Sequence, residues 1–367
     1  MSRKLFARGQ LNCREVSASS ALGPLSLVWD GLVKQSAFND IFASCAFAKV
    51  WWDTYGGSNR LRVILVEDAS AAVRLIAPFY AESLSPGTLK AIGNFRGDYS
   101  NVLANKNDDS SIEQMFSWLR QQRNWRTLVL NNLPEGSPVL GYFKHSANRA
   151  NRRLRGQWFK FSQPLAIIRF KRQHPVIDKD ALLAQAQLLS SANYQRQLKW
   201  FRKQGELVYR CERNTVAIAE LLPQFFELHI RNWEAKAERS LFLDARNQRF
   251  YQMLTNELSQ HGAVRLDTLA FNGRVIAAHF GFDWDGRVYY YKPCYEPAYS
   301  ARRPGKLLLA HMIQDAAHDG KSEFDLLKGN EAYKTIYASG VRTTASVKVY
   351  RSRLDAILSK IATTLRG

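Results

Sequence analysis

The stretch with the densest reactive side chains is a polar loop, residues 327–334 (LKGNEAYK). It follows a short apolar run typical of a β-strand, at the end of the strand where α/β sheets form their sites. Glu331 is a candidate general base or ligand for a substrate amine, and Tyr333 is a candidate acid. Lys328 and Lys334 could bind an anionic substrate or a carbonyl oxygen. The alternative interpretation is a solvated, charged loop.

A basic Pro-Gly turn precedes this loop in the sequence. Arg302, Arg303 and Lys306 surround Gly305, and a helical apolar pattern follows over residues 307–319. A helix start offers unpaired N–H groups and the positive end of the helix dipole, which together bind anions. Glycine gives the backbone conformational freedom, and the cations add charge for a phosphate group. The sequence therefore predicts an anion site, with an ordinary Pro-Gly turn as the alternative.

Further candidates lie on predicted strands and helices. Tyr290 belongs to an aromatic strand, residues 287–292, in which alternation places its side chain opposite its two tyrosine neighbours. Its hydroxyl is a candidate for catalysis. His229 and Trp233, on a predicted helix, could line an acceptor pocket. His279 is interpreted first as a core histidine and only second as a catalyst.

The elements that must position these residues follow an α/β order. Asn272-Gly273 and Asp285-Gly286, each between alternating runs, predict three antiparallel strands joined by tight hairpins. A helix, a short strand and the polar loop come next. The first half of the chain shows a similar order, with helices over residues 30–55 and a hairpin over residues 61–80. This similarity predicts two copies of one α/β unit.

Length and charge limit the class of protein. The 367 residues exceed one ordinary core and fit two domains. Lysine and arginine outnumber aspartate and glutamate by 52 to 32, a net charge of +20, which favours anionic partners. Nucleic acid, anionic lipid headgroups and phosphate-bearing cofactors are such partners. Much of the charge lies in a basic belt from Lys144 to Arg172. Solvated helix faces are the alternative explanation.

Cysteine and apolar patterns narrow the class further. The four cysteines are widely spaced, without a Cys-x-x-Cys pair, which predicts a reducing compartment and no structural metal. No apolar stretch approaches the roughly 20 residues of a membrane span, and no signal-peptide pattern opens the chain. We expect a cytoplasmic protein, with peripheral membrane contact as an open alternative.

Four segments, taken in order, carry a resemblance to a known family. They are FAKVWWDTYGGSNRLRVILVED, GNFRGDYSNVL, SANYQRQLKWFRKQGELVY and YSARRPGKLLLAHMIQDAAHDGKSEFDLLKGNEAYKTIY. In these segments and their spacing the chain resembles GNAT-superfamily acyltransferases of the CelD/BcsL type. It is also similar to the Fem-type peptidyltransferases, which share the tandem architecture. The resemblance spans the chain from about Phe47 to Tyr337.

The resemblance implies a fold, a co-substrate and further site residues. It implies an α/β (α+β) fold of two tandem GNAT-like domains, each a mixed, mostly antiparallel sheet flanked by helices. The domains would cover residues 1–165, which lack the phosphate turn, and residues 166–367, which carry the acyltransferase site. Acyl-CoA would be held at Arg302–Lys306, and an amine or hydroxyl would attack its thioester directly. Asp98 and Tyr99 would reach the substrate in the cleft between the domains, with a turn-capping role for Asp98 as the alternative.

Two positions depart from the family pattern. The acyl-CoA loop of the superfamily usually reads Arg/Gln-x-x-Gly-x-Gly/Ala, whereas the corresponding loop here ends in Leu307. The small residue that would allow close approach of backbone to pyrophosphate is therefore replaced. Tyr337 stands where the family often has tryptophan.

Three functions are compatible with these features. The first is an acyl-CoA-dependent N- or O-acyltransferase acting on a saccharide or on a cell-envelope or polysaccharide-related acceptor. The second is a Fem-like ligase that uses aminoacyl-tRNA, supported by the basic belt. The third is a non-catalytic binder of an anionic polymer or membrane surface on a decayed GNAT fold, supported by Leu307.

Overall fold

The computed structural model describes residues 11–153, 165–259, 262–329 and 331–364. The chain divides into two compact units. The first comprises Met1–Arg172 and Thr343–Gly367, and the second comprises Gln173–Arg342.

The first unit contains both strands and helices. Its strands up to the first division point are β1 (Asn12–Val16), β2 (Arg60–Glu67), β3 (Val73–Ala81), β4 (Thr88–Ala91), β5 (Leu103–Ala104) and β6 (Thr127–Pro134). Its helices are α1 (Ser26–Gln35), α2 (Cys45–Tyr55), α3 (Asp109–Gln121) and α4 (Pro138–Arg153).

The second unit is also built from strands and helices. Its strands are β7 (Leu165–Asp178, which contains the division point), β8 (Leu207–Glu212), β9 (Val264–Phe271), β10 (Arg274–Trp284), β11 (Arg287–Tyr295) and β12 (Glu323–Asp325). Its helices are α5 (Lys179–Ala184), α6 (Ala192–Gln204), α7 (Thr215–Glu234), α8 (Ala245–Ser259), α9 (Pro304–His318) and α10 (Ala332–Tyr337). The chain then enters β13 (Gly340–Tyr350), which contains the second division point, and α11 (Arg353–Thr364).

Both units have the same strand order. In the first it is β1-β2-β3-β4-β6-β13, and in the second β8-β9-β10-β11-β12-β7. Each order holds four antiparallel strands, then one parallel pair, β4 with β6 or β11 with β12, and then a further antiparallel strand. The predicted class, a mixed and mostly antiparallel sheet flanked by helices, is confirmed, and the likeness of the two orders agrees with two copies of one unit.

The division of the chain differs from the predicted one at residue 165. The structure divides after Arg172, and residues 343–367 return to the first unit. The cause is the pairing of β13, whose residues 344–350 form an antiparallel ladder with β6. Sequence order alone assigns this strand to the second half. The structure places it in the first, because a strand's partner is set by long-range pairing and not by its neighbours along the chain.

Local turn chemistry fixes the three-stranded part of the second unit. Both hairpin turns have positive φ at their two central residues: 49° and 77° at Asn272-Gly273, and 52° and 73° at Asp285-Gly286. Asn, Asp and Gly adopt these angles at low cost, and such turns match the twist of the strands they join. The predicted hairpins are confirmed. Among the described residues, no helix is long and apolar enough to cross a bilayer.

Candidate functional site

The basic turn lies at the start of α9. The cap residue of the helix, Arg303, has φ 53° and ψ 48°, the left-handed conformation, and its side chain is exposed. The guanidinium carbon of Arg302 lies 4.3 Å from the centre of the Trp200 ring on α6. This is cation–π distance. Lys306, in the first turn, is half-buried. The predicted cations therefore gather at a helix start, where the dipole also favours anions.

Gly305 and Leu307 have structural roles that the sequence did not indicate. A Cβ on Gly305 would lie 3.2 Å from Cδ1 of Tyr295, so the glycine allows close packing on that ring. Backbone freedom is not what it supplies, since its φ is not positive. Leu307 is fully buried in the core of the second unit. Its side chain thus occupies the interior and not the surface at the helix start.

The exposed face of α6 extends the basic surface beside this helix start. Its exposed cations are Arg196, Lys199, Arg202 and Lys203. In the first unit, the helix that corresponds to α9 is α3. It begins with negatively charged residues, whereas α9 begins with positively charged ones. Its cap Asp108 accepts a hydrogen bond of 3.1 Å from the Ser111 backbone N–H, and Asp109 occupies its first turn. A carboxylate there satisfies the N–H groups and repels an anion.

The polar loop after β12 is wound around the side chain of Lys334. This side chain is buried, with 4% of the residue exposed. Its Nζ donates a 2.9 Å hydrogen bond to the Lys328 carbonyl and lies 3.1 Å from Oε2 of Glu331. Gly329, with φ 146°, makes the winding possible, because a Cβ there would overlap the Glu331 carboxylate. Lys334 therefore holds the loop together, whereas the sequence suggested a substrate ligand.

Two charged side chains of the loop, those of Glu331 and Lys328, remain accessible. The Glu331 side chain is 53% exposed, and its carboxylate stays beside the Lys334 ammonium. Lys328 is half-buried. A lysine ammonium has three N–H donors, and the contacts described above engage two of those on Lys334.

Four tyrosines join the loop to the basic turn. The hydroxyls of Tyr290 and Tyr333 are hydrogen-bonded, and those of Tyr194 and Tyr337 lie 2.5 Å apart. Burial raises the pKa of all four phenols, so they stay protonated and can donate hydrogen bonds. The charge of Arg303 acts on Tyr194, where it lowers the pKa but is outweighed by burial. The charge at the start of α9 therefore acts on Tyr194, whose hydroxyl contacts that of Tyr337 on α10.

His279 is fully buried in β10, which confirms it as a core histidine. Its Nδ1 lies 3.1 Å from Oδ2 of Asp267, and its Nε2 accepts a 2.9 Å hydrogen bond from the Tyr291 backbone N–H. Burial lowers the pKa of the imidazole, and the nearby Asp267 offsets this only in part. His279 is therefore neutral.

His229 and Trp233 lie together on α7, with their rings stacked 5.3 Å apart. His229 is buried, and its Nδ1 lies 2.8 Å from Oγ of Ser240. Burial, aided by nearby lysines, lowers its pKa to about 3. Trp233 is half-buried beneath the Lys236 ammonium. The pair was predicted to line an acceptor pocket; in the structure His229 faces the core, and only Trp233 offers surface to a ligand.

Asp98 and Tyr99 lie in the interior of the first unit. Both are buried, and the Tyr99 ring meets Phe38 edge-on at 4.8 Å. The structure thus places them as core residues, unlike the substrate contact implied by the resemblance. Of the predicted basic belt Lys144 to Arg172, residues 154–164 and most of the remaining side chains lie outside the described part of the chain.

One cluster has the donor types of a metal site. Cys211, Asp267 and Asp315 have ligand atoms within 4.8 Å of one another. However, the buried Arg265 guanidinium contacts both carboxylates, at 2.6 and 2.9 Å. Burial raises the pKa of Asp267, but Arg265 and the hydrogen bond from His279 outweigh it and keep the carboxylate charged. The cluster is an internal ion network in which arginine already neutralises the charge that would attract a cation.

Tyr194 and Tyr337 are site residues that sequence reasoning did not assign. One signal was available, because Tyr333 and Tyr337 are separated by four residues and share a helix face. Nothing in the spacing indicated Tyr194 or Trp200, since their contacts to α10 and to Arg302 join distant parts of the sequence.

Comparison with known proteins bears on the second unit most directly. Residues 190–335 match the family model described as acetyltransferase (GNAT) domain. This range includes α6, α9, the polar loop and most of α10. No curated protein matches the sequence.

Solved structures resemble nearly the whole chain. FemX has a TM-score of 0.57 and 10% identity, over 94% of this chain and 99% of that one. The C-terminal domain of a protein described as a lysylphosphatidylglycerol synthetase, from Agrobacterium fabrum, has a TM-score of 0.56 and 10% identity, over 95% of this chain and 97% of that one. L-PGS from Bacillus licheniformis has a TM-score of 0.56 and 9% identity, over 96% of this chain and 98% of that one. At such identities the likeness concerns the fold alone. Residues 190–335 are therefore a domain of GNAT fold, within a chain whose fold is similar to those of FemX and L-PGS.

Proposed function

We propose that this protein is an acyltransferase that moves an acyl group from acyl-CoA to an amine or hydroxyl of a saccharide or cell-envelope-related acceptor. Within the GNAT superfamily we assign it to the CelD/BcsL type. The observation that carries the proposal is the arrangement of α9 and α10. A basic helix start and a loop containing a carboxylate, a phenol and an ammonium are connected through Tyr194 and Tyr337.

Each end of this arrangement has a part in the proposed reaction. Arg302, Arg303 and Lys306 bind the phosphates of the donor with the N–H groups at the start of α9. Glu331 takes the proton from the acceptor as its nitrogen or oxygen forms a bond to the acyl carbon. The carbon–sulfur bond breaks, and Tyr333 donates its proton to the leaving thiolate. The proton taken up by Glu331 then passes through solvent to the Tyr333 phenolate, which restores both groups. The raised pKa of Tyr333 keeps that proton in place beforehand.

The first unit fits a supporting role in this proposal. Its helix α3 begins with Asp108 and Asp109 where α9 has cations, and these carboxylates repel a phosphate. We therefore assign donor binding to the second unit, as the predicted loss of the phosphate turn in the first half suggests.

A second donor, aminoacyl-tRNA, is favoured by one specific observation. The exposed cations of α6 continue the basic surface beyond the start of α9. A surface longer than one pyrophosphate suits a nucleic-acid backbone, whose binding is driven by phosphate neutralisation. The acceptor chemistry at Glu331 and Tyr333 would be unchanged with this donor.

Titration calorimetry with acetyl-CoA and decanoyl-CoA tests the donor. The informative variant is Lys306→Glu, because an acidic residue in the first turn is favoured by the helix dipole and should not weaken the fold. Replacing attraction by repulsion at about 4 Å costs roughly 2 kcal/mol when both charges are fully solvated, which corresponds to a roughly 10- to 30-fold weaker affinity. Arg60→Glu, an exposed site in the first unit, makes the same change in net charge and is the control.

Several outcomes separate the hypotheses. Equal affinity in Lys306→Glu and the wild type would remove the donor assignment. Binding of tRNA that is tighter than binding of heparin, with no binding of either thioester, would select the second donor. Absence of all these interactions would favour a non-catalytic role.

A further inference from the structure

The ladder between the two central strands of the second unit, β10 and β11, contains an irregularity beside the candidate site. The ladder between β10 and β11 pairs Phe280 with Lys292 and then Phe282 with Tyr289. One residue of β10 is therefore opposite two residues of β11. This is a β-bulge, which bends the strand and leaves backbone groups without their regular partners.

The single residue opposite the bulge is Gly281, and the two bulged residues are Tyr290 and Tyr291. The side chain of His279 folds along the strand across Gly281, where any Cβ would overlap the imidazole ring. Its Nε2 accepts the hydrogen bond from Tyr291 N–H at 2.9 Å. The imidazole also stacks on the ring of Tyr290, with centres 4.8 Å apart and planes 9° apart.

The orientation of the imidazole is fixed from its other side. An Nε2 that accepts a backbone N–H cannot carry a proton, so the proton of the neutral ring is on Nδ1. Nδ1 then donates to Asp267, at 3.1 Å. Arg265 keeps this acceptor charged, at 2.6 Å from its carboxylate. The charged Asp267 thus favours the tautomer with its proton on Nδ1. In this tautomer Nε2 can accept the hydrogen bond from Tyr291 N–H in the bulge.

The bulge decides where the Tyr290 hydroxyl lies. Side chains alternate between the two faces of a strand, so removing one bulged residue from the register moves every later side chain to the other face. The Tyr291 N–H would then recover a ladder partner, whereas in the bulge it depends on His279. Loss of the His279 acceptor would leave this buried N–H unsatisfied, which is costly and favours the regular register.

We propose that His279 is a positioning residue of this site, which holds the bulge of β11 and thereby keeps the Tyr290 hydroxyl in contact with Tyr333. The consequence for turnover rests on the proposed function, whereas the consequence for the strand does not. His279 itself touches no substrate, because it is fully buried.

Two substitutions separate its hydrogen bonds. In His279→Gln the amide oxygen reaches the position of Nε2 and can still accept from Tyr291 N–H. In His279→Asn the amide reaches only the position of Nδ1, so Asp267 keeps a donor and Tyr291 loses its acceptor. Both replacements are polar and smaller than histidine, which avoids overpacking.

Amide hydrogen exchange tests the strand directly. We expect exchange at Tyr291 to be at least tenfold faster in His279→Asn than in the wild type, and within about threefold of the wild type in His279→Gln. Equal protection of Tyr291 in both variants and the wild type would overturn the proposal, whatever the enzyme's activity. Should His279→Asn not fold, loss of Tyr291 protection in His279→Gln would also contradict it.

A double-mutant cycle tests the link to the site, with acetyl-CoA and glucosamine as probe substrates. Tyr290→Phe removes the hydroxyl and should lower kcat about tenfold in the wild type, but have little further effect in His279→Asn. The KM for acetyl-CoA should change less than twofold, since the start of α9 is untouched. Leu258→Ala, a buried helical site, controls for general destabilisation and should leave the full effect of Tyr290→Phe.

The results distinguish the two proposals. A full effect of Tyr290→Phe in both backgrounds would show that His279 does not act through Tyr290. If the wild type does not transfer the acetyl group of acetyl-CoA to glucosamine, the proposed function fails for these substrates. The exchange data alone then decide whether His279 holds the bulge.

Discussion

At the scale of single residues, the ion pair between Lys334 and Glu331 shows how one contact changes the meaning of a motif. The sequence suggests two independent polar groups, one a base and one a substrate ligand. The structure buries the ammonium, directs it to the Lys328 carbonyl and leaves the carboxylate half exposed. A buried ammonium needs partners to offset its desolvation, and the loop backbone supplies one of them. Lys334 therefore determines the position of Glu331.

This arrangement makes Glu331→Gln an informative substitution. The glutamine carbonyl can still accept from the Lys334 ammonium, so the loop should keep its shape while the basic group is lost. We expect kcat to fall at least 100-fold, the usual contribution of a general base, with donor affinity within about threefold of the wild type.

Steady-state kinetics with calorimetry of donor binding measures both quantities. Glu227→Gln, an exposed glutamate on α7 whose side chain is 73% exposed, is the matched control. Unchanged turnover in Glu331→Gln would exclude Glu331 from the proton transfer.

At the scale of elements, capping and turn residues set most boundaries. The helix predicted from Leu307 begins at Pro304, because proline at the first helical position has the helical φ and needs no hydrogen-bond donor. The short strand predicted before the polar loop ends at Asp325. There the Asp325 carboxylate accepts the Leu327 N–H, and Leu327 takes φ 56°. A non-glycine residue in this conformation marks a turn that the surrounding structure imposes.

The polar loop depends on one glycine. In Gly329→Ala the new Cβ would overlap the Glu331 carboxylate and lie 2.5 Å from Nζ of Lys334, at a φ of 146° that alanine disfavours. We expect turnover to fall at least tenfold, because the ion pair must open. The melting temperature should change by only a few degrees, since the residues nearest to Gly329, Lys328 and Glu331, add no apolar side chain to the core.

Thermal unfolding and kinetics on the same preparation check this expectation. Gly273→Ala, in a hairpin turn with positive φ and no neighbour within 4 Å of its Cβ, serves as control for backbone strain alone. Equal losses of turnover in the two variants would contradict a specific role for the loop.

At the scale of the whole molecule, buried histidines make stability depend on pH. Burial lowers the pKa of His229 to about 3 and that of His311 to about 4, and it also lowers that of His279. An unfolded histidine has a pKa near 6.5. Below that pH the unfolded chain therefore binds protons that the folded protein does not, and the equilibrium moves towards unfolding.

We expect the free energy of unfolding to fall as the pH is lowered from 6.5 to 5, by about 2 kcal/mol for His229 alone. His229→Gln should flatten this dependence by that amount, although it can lower stability at pH 8. Urea titrations at pH 8, 6.5 and 5 give the comparison. An identical slope in variant and wild type would contradict the buried, neutral state of His229.

The sequence by itself determined the local features: the tight hairpins, the main helices, the basic turn and the reactive loop. Each depends on residues close together in the chain, whose conformational preferences act over a few positions. Only the tertiary structure decided that β13 belongs to the first unit, that Lys334 and Leu307 are buried, and that His279 contacts the bulge of β11. These depend on pairing and burial between distant segments. No local propensity encodes them, because the partner surface exists only once the chain has folded.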